Sequence, residues 1–309
     1  MSIFTDFEPD TAACLPDAVA QIRANLEAIK STIVLTSARG GVGKSALTVS
    51  IAAALAQSGR KAVLFDADLN SPSLHAMLGM KTPRRLPLSD AADPATGPLG
   101  LRVVTVNVAL EPAIPLLNLS DAEILPATEN GSRPASTGYA ATLSRTLAHT
   151  RLGAADLLLI DAAPGLEACS RILELVPEAN FVVVSHPARL AAQATQRMLE
   201  FLASKRARVL GLVENMVGFN CDGCHAVRPL LPHGAMIATA VAAGVSILDR
   251  LPFDPRLAET NDRGALFIRE YADTPLAKQI VGLAQSLERS ALTRDATAPR
   301  DDREVPGAN

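Results

Sequence analysis

Short runs of Val, Ile and Leu recur along the chain, each followed by a stretch in which apolar residues return every three or four positions. The runs at residues 32–36, 62–65, 101–106, 157–160, 181–184, 209–213 and 247–251 are continuous rather than alternating. A strand that is apolar on both faces is one covered by helices on both sides, the arrangement of a parallel sheet. The periodic stretches predict helices over residues 45–57, 140–149, 190–204 and 275–290, a shorter one over 235–243, and an amphipathic one over 16–29. Strand and helix in alternation predict an α/β fold, a doubly wound, mostly parallel sheet with helices on both faces.

Three regions read as peripheral. Residues 1–30 are a polar start leading into the first helix, and form an N-terminal helical extension to a domain spanning 31–292. Residues 81–100 and 111–137 carry much of the chain's Pro, Asn and Ser and read as loops around the 101–106 strand. The stretch 293–309 mixes Arg and Asp with few apolar residues and is expected to be a disordered tail.

Composition narrows the function classes. With 309 residues, 48% of them apolar and 20% charged, the chain can bury a large core as a single α/β domain. A formal net charge of -3 offers no basic field for nucleic acid. No run of about 18 apolar residues suggests a membrane span. The first residues hold acids rather than a basic start and an apolar stretch, so no export signal is read and a cytoplasmic location is expected. Of four cysteines, Cys14 and Cys169 stand alone and read as ordinary thiols outside any disulfide framework.

The chemistry is concentrated after the first strand, where the chain reads Ser37-Ala38-Arg39-Gly40-Gly41-Val42-Gly43-Lys44-Ser45. A glycine-rich turn closed by Lys-Ser, between a strand and a helix, is a phosphate cradle of the P-loop kind. Gly40, Gly41, Val42, Gly43, Lys44, Ser45 and Ala46 are its candidate nucleotide-binding residues. Lys44 would supply charge to the β/γ-phosphates and Ser45 a hydroxyl to Mg²⁺. The strict pattern places glycine where this chain has Ala38. Two acidic strand ends complete the site: Asp66-Ala67-Asp68 after the second run and Asp161 after the fourth. Strand carboxyl ends face the ligand crevice of such a sheet, so these carboxylates can hold Mg²⁺ or orient an attacking water, although either alone could be an ordinary turn aspartate.

A second constellation is Cys221-Asp222-Gly223-Cys224, beyond Glu214-Asn215-Met216. Several readings stand side by side. The string Cys221 to His225 is the spelling of a c-type haem attachment, which needs an exported protein. A redox pair normally opens a helix in a small redox fold. A zinc site within one chain would need further ligands such as His225 and His233, and two incidental thiols are the plain alternative. Finally, a [4Fe-4S] cluster takes four thiolates, and two copies of a two-cysteine loop would supply them across a two-fold axis.

Taken together, the motifs resemble those of the Mrp/NBP35-type iron-sulfur cluster carriers, within the deviant-Walker-A P-loop ATPases that also include division-site and plasmid-partition proteins. The resemblance rests on residues 37–45; on 64–79, with Asp66-Ala67-Asp68 and Ser71-Pro72-Ser73; on 213–224; and on 251–267, with Pro252, Asp254-Pro255-Arg256 and Asp262-x-Gly264. It spans residues 31–287. It implies an ATP- and Mg²⁺-binding homodimer, weakly ATP-hydrolysing, that holds a labile [4Fe-4S] cluster between paired cysteine loops and delivers it to apo iron-sulfur proteins. By residue, it implies that Lys44 and Ser45 hold phosphate and Mg²⁺, Asp161 supports the metal, and Asp68 orients the hydrolytic water. Asn215 would approach the adenine, and Cys221 and Cys224 would ligate the cluster.

The chain departs from the family pattern in three places. The signature lysine that reaches the partner's nucleotide is Arg39 here, which keeps the charge but presents a planar fork, so altered hydrolysis with preserved binding is expected. The turn after Asp161 reads Ala163-Pro164-Gly165-Leu166-Glu167-Ala168 and lacks the family's acid, and the chain contains no Trp. A regulatory or partitioning ATPase switch without a cluster is the other reading. It predicts a membrane-binding tail or a basic patch, whereas Leu276, Ile280, Leu283 and Leu287 read as a face packed on the core.

Overall fold

The continuous apolar runs fold as adjacent strands of one sheet. The computed structural model describes residues 16–69, 71–81, 92–105, 139–220, 227–232 and 234–293. Its strands are β1 (Ile29–Thr36), β2 (Ala62–Ala67), β3 (Ala95–Thr96), β4 (Arg102–Thr105), β5 (Ala155–Ala162), β6 (Asn180–Ser185), β7 (Arg208–Asn220), β8 (Val227–Pro229) and β9 (Ile247–Phe253). Their order is β3-β4-β2-β5-β1-β6-β7-β8, with β9 also pairing β7. All pairings are parallel except β3 with β4 and β7 with β8. The chain leaves β1 through α2 on one face of the sheet and leaves the adjacent β5 through α5 on the other, so a crevice opens at the carboxyl ends of these two strands.

The helices are α1 (Pro16–Glu27), α2 (Lys44–Gln57), α3 (Leu74–Met77), α4 (Tyr139–His149), α5 (Leu166–Leu175), α6 (Arg189–Ser204), α7 (Ala235–Ala242), α8 (Pro255–Asp262), α9 (Phe267–Glu270) and α10 (Pro275–Leu292). They cover both faces. On one, Leu47, Ile51 and Leu55 of α2 and Ile280, Leu283 and Leu287 of α10 pack on Ile33, Leu35, Leu64 and Leu159. On the other, residues of α1, α4, α5 and α6 pack on Val34, Phe65, Ile160 and Phe181. Alternate residues of one strand thus feed two separate cores, which is why the runs are apolar throughout. The face Leu276, Ile280, Leu283 and Leu287 is buried, as expected.

Several boundaries differ from the expectation. The first helix stops at Glu27, because Ile29 already pairs with Ala155 at the start of β1. β7 runs on to Asn220, well beyond residue 213, because pairing with β8 and β9 carries the strand through the polar Glu214-Asn215. The segment 81–100 contains the short β3. Helices α3, α5, α8 and α9 were not foreseen, each being short enough that few apolar repeats mark it. The expected loop 111–137, residues 82–91 of the segment 81–100, the stretch 294–309 and Cys14 lie outside the described residues.

Phe181 stands at the centre of the second core with no exposed surface. Phe181→Ala is expected to lower unfolding stability by about 3–5 kcal/mol, the loss of burial plus the cavity left in a rigid sheet, as measured by urea denaturation. A loss below about 1 kcal/mol would mean that the sheet–helix interface is not packed as described.

Candidate functional site

The P-loop leaves the carboxyl end of β1 and wraps into the first turn of α2. At its base Asn215 of β7 approaches so closely that a Cβ on Gly43 would stand 2.5 Å from the Asn215 Nδ2, and Gly43 itself has φ +81°. Glycine is therefore required there both for conformation and for space. Ala38 is different: it is absent from the non-glycine residues of positive φ, and it packs against the second core. The missing glycine thus imposes no strain. Backbone bonds brace the loop from the neighbouring strand end, where Gly165 N–H donates to the Ser37 carbonyl at 2.9 Å. The turn Pro164-Gly165 therefore supports the cradle despite the altered sequence that follows.

Asp161 is the hub beneath this loop. It is fully buried at the end of β5, and its carboxylate accepts from Lys44 Nζ at 2.7 Å, Ser45 Oγ at 2.6 Å and Thr48 Oγ1 at 2.9 Å. A buried charge without such partners would be strongly destabilising. Three side chains from one helical turn converge on it because positions 44, 45 and 48 face the same strand end. Ser45 and Asp161 thus present a hydroxyl and a carboxylate side by side, a hard-oxygen pair of the kind that holds Mg²⁺. Thr48 was missed by the sequence reading. Its only signal there was a hydroxyl four positions after Lys44, on the same helical face.

Asp66, the register partner of Asp161 on β2, does something else. Its side chain turns inward and accepts the N–H groups of Ser73 at 2.8 Å, Leu74 at 3.0 Å and Asp68 at 3.3 Å. It organises the loop that carries the half-buried Asp68, whose Oδ1 accepts the Ser71 N–H at 3.2 Å. Burial pushes the Asp66 carboxyl up from 3.8 to about 7, assisted by the nearby charge of Asp161 and opposed by the three N–H groups.

On β7, Asn215 donates from Nδ2 to the Val42 carbonyl at 2.9 Å. The next residue, Met216, has φ +60°, one of three non-glycine residues in the left-handed region among those described. Such a conformation costs about 1–3 kcal/mol and here coincides with a register irregularity between β7 and β9. Glu214 is buried and receives Arg250 Nε at 2.6 Å, while its Oε1 has no partner among the described residues. Arg39 is exposed on the loop and makes no ion pair with a described residue. Cys221 and Cys224, with His225 and His233, lie outside the described residues; β7 ends at Asn220, directly before Cys221. Cys169 is buried beneath the P-loop strand, 3.0 Å from Thr36 Oγ1, in keeping with an ordinary core thiol. Among the described residues no helix is long and apolar enough to cross a membrane.

A parallel sheet with a P-loop at the end of its central strand, a lysine and serine on a buried aspartate, and a second acidic turn beside it defines a P-loop nucleotide-binding protein. The chain belongs to the ParA-type family described as NUBPL iron-transfer P-loop NTPase, whose model it matches over residues 28–117 and 134–288. It is 31% identical over 270 residues to an iron-sulfur cluster carrier protein of Saccharolobus solfataricus, with 86% of each chain covered. It is 28% identical over 267 residues to the cytosolic Fe-S cluster assembly factor NUBP2 of Homo sapiens, covering 85% of this chain and 94% of that one. Among solved structures it resembles a nucleotide-binding protein from Archaeoglobus fulgidus in complex with ADP, with TM-score 0.66, 26% identity, and 84% and 95% of the two chains covered. The fold alone is shared with the MinD cell division protein of Aquifex aeolicus, at TM-score 0.57 and 19% identity over 87% of this chain and all of that one.

The position of Asp66 makes stability depend on pH. The folded protein holds this proton up to about pH 7, the unfolded chain only to about 3.8, so the contribution is full below 3.8 and is lost as pH rises through 7. Asp66→Asn, which cannot titrate, is expected to gain on the wild type from about pH 4 to about pH 7 and to hold a constant difference above, in urea midpoints taken across that range. A difference independent of pH would place the Asp66 proton elsewhere.

Proposed function

We propose that this protein is an ATP-binding carrier or scaffold that holds an iron-sulfur cluster between two copies of the chain and delivers it to apo-proteins in the cytoplasm. The observation that carries the reading is a single strand: β7 lays Asn215 against the P-loop and runs on to Asn220, the residue before Cys221 in the sequence. Only five residues of sequence separate Asn215 from Cys221, so a change at the nucleotide has a short route to the cysteine pair. The names borne by the relatives, iron-sulfur cluster carrier protein and cytosolic Fe-S cluster assembly factor, support the same role.

In this reading Lys44 exchanges its contact with Asp161 for the β/γ-phosphate oxygens, and the N–H groups from Gly40 to Ala46 surround the phosphates. Ser45 and Asp161 are the residues that would hold Mg²⁺, which neutralises charge on the phosphates. Asp68, on the loop braced by Asp66, orients a water toward the γ-phosphate, and Asn215 is the β7 residue that approaches the adenine. Arg39, exposed at the lip of the loop, reaches toward the second copy's nucleotide. Its planar fork keeps the charge of a lysine but meets phosphate with a different geometry, so hydrolysis is altered while nucleotide binding is kept. The cargo is a [4Fe-4S] cluster bound by Cys221 and Cys224 of each copy, which satisfies the requirement for four thiolates with two-fold symmetry.

Anaerobic reconstitution of the protein with iron and sulfide is expected to give a broad visible absorption band and about four irons per two chains. Both should vanish in a Cys221→Ala/Cys224→Ala variant that retains its nucleotide affinity. Absence of a cluster in the wild type, or a cluster indifferent to the two substitutions, would favour the nucleotide switch over the carrier.

A further inference from the structure

Two pieces of the sequence motifs, Gly79 at the end of the 64–79 segment and the trio Asp262-x-Gly264, have no part in the nucleotide chemistry assigned above. In the fold they meet each other. α3 follows the Asp68 loop, its Leu74 and the adjoining Leu78 are buried in the first core, and the chain then turns at Gly79 with φ +66°. A Cβ placed on Gly79 would stand 2.6 Å from the Gly264 carbonyl oxygen. One placed on Gly264, where φ is +68°, would stand 2.4 Å from the Gly79 Cα and 2.7 Å from its nitrogen. The two backbones are thus in direct contact, with no room for a methyl group on either side.

The far side of this contact is an anchor. Gly264 closes the end of α8 through its N–H on the Asn261 carbonyl at 3.1 Å. The start of α8 is capped by Asp254, which accepts from the Arg256 N–H at 3.0 Å and from its guanidinium at 2.9 and 2.7 Å. Arg256 in turn lies over the Tyr271 ring, 5.1 Å from its centre, and β9 feeds α8 directly from its pairing with Asn215 of β7. The near side is α3 and, before it, the Asp68 loop, whose end at Ser73 and Leu74 is held by the Asp66 carboxylate. α3 thus links the contact at Gly79 to the residues that end the Asp68 loop.

We infer that Gly79 and Gly264 form a backbone latch that positions the Asp68 loop for hydrolysis, so that both glycines are positioning residues for the reaction. The inference rests on the role proposed for Asp68. It explains why two glycine motifs far apart in sequence occur in one chain: each leaves the space that the other's backbone fills. It also ties the hydrolytic loop to the strand pair β7–β9, and through it to the wall of the P-loop.

The test is hydrogen–deuterium exchange by mass spectrometry on the nucleotide-free, full-length protein, with steady-state ATP hydrolysis and ATP affinity measured on the same samples. Gly264→Ala is expected to speed exchange in residues 68–78 by about tenfold or more while β1 and β5 stay protected. The same variant should lower kcat by about tenfold with the ATP Kd changed by less than about threefold. Gly79→Ala places the methyl on the other side of the contact and should behave alike. Gly244→Ala is the control, since Gly244 has φ +64° but a Cβ there meets nothing within 4 Å; it should alter neither readout. Unchanged exchange at 68–78 in both latch variants, an increase spread evenly over the sheet, or an equal effect of Gly244→Ala would overturn the latch. If the wild type hydrolyses no ATP, the role of Asp68 fails and the exchange pattern alone decides the latch.

Discussion

The buried carboxylate of Asp161 is the constraint from which the rest of the site follows. It sits at the end of β5 with no access to solvent, and a charge in that position is tolerable only with full hydrogen bonding. Lys44, Ser45 and Thr48 provide it, and all three come from the first turn of one helix. α2 must therefore dock its N-terminus at this strand end, which in turn fixes where the preceding glycine-rich loop lies. An ammonium and a hydroxyl that nucleotide chemistry needs are held ready by the same ion that the fold needs neutralised.

The neighbouring Asp66 shows how two aspartates of similar sequence context diverge. Both end parallel strands and stand opposite each other in register. Asp161 faces side chains from α2, whereas Asp66 faces backbone N–H groups from the loop after β2. One carboxylate addresses the ligand crevice and the other holds a loop in place. Asn215 completes the enclosure from β7, closing the P-loop from the side that leads to the cysteines.

Much of this architecture was legible in the chain. The Val, Ile and Leu runs announced each parallel strand among the described residues, because burial on both faces leaves few polar positions to interrupt them. The glycine-rich loop with Lys44 and Ser45 was legible for a chemical reason, since few other functions require that spelling between a strand and a helix. What escaped was set by partners distant in sequence. The extension of β7 through Glu214 and Asn215 depends on β8 and β9, and the polar residues masked it. α5, with Ala168, Cys169, Ile172 and Leu175 buried, carries only two turns' worth of apolar signal after a family turn that it has altered. The inward turn of Asp66 and the contact of Gly79 with Gly264 are properties of three-dimensional placement that no local pattern encodes.

The central claim is that Asp161 changes partners, leaving Lys44 free for phosphate when Mg²⁺ and nucleotide enter together. Calorimetric titration of ADP into the wild type and Asp161→Asn, each with and without Mg²⁺, tests it directly. The account predicts that Mg²⁺ strengthens binding to the wild type by about tenfold or more, and that Asp161→Asn loses this gain while binding metal-free ADP at least as well as the wild type. An equal gain from Mg²⁺ in both proteins would contradict it, and would place the metal's protein ligand elsewhere.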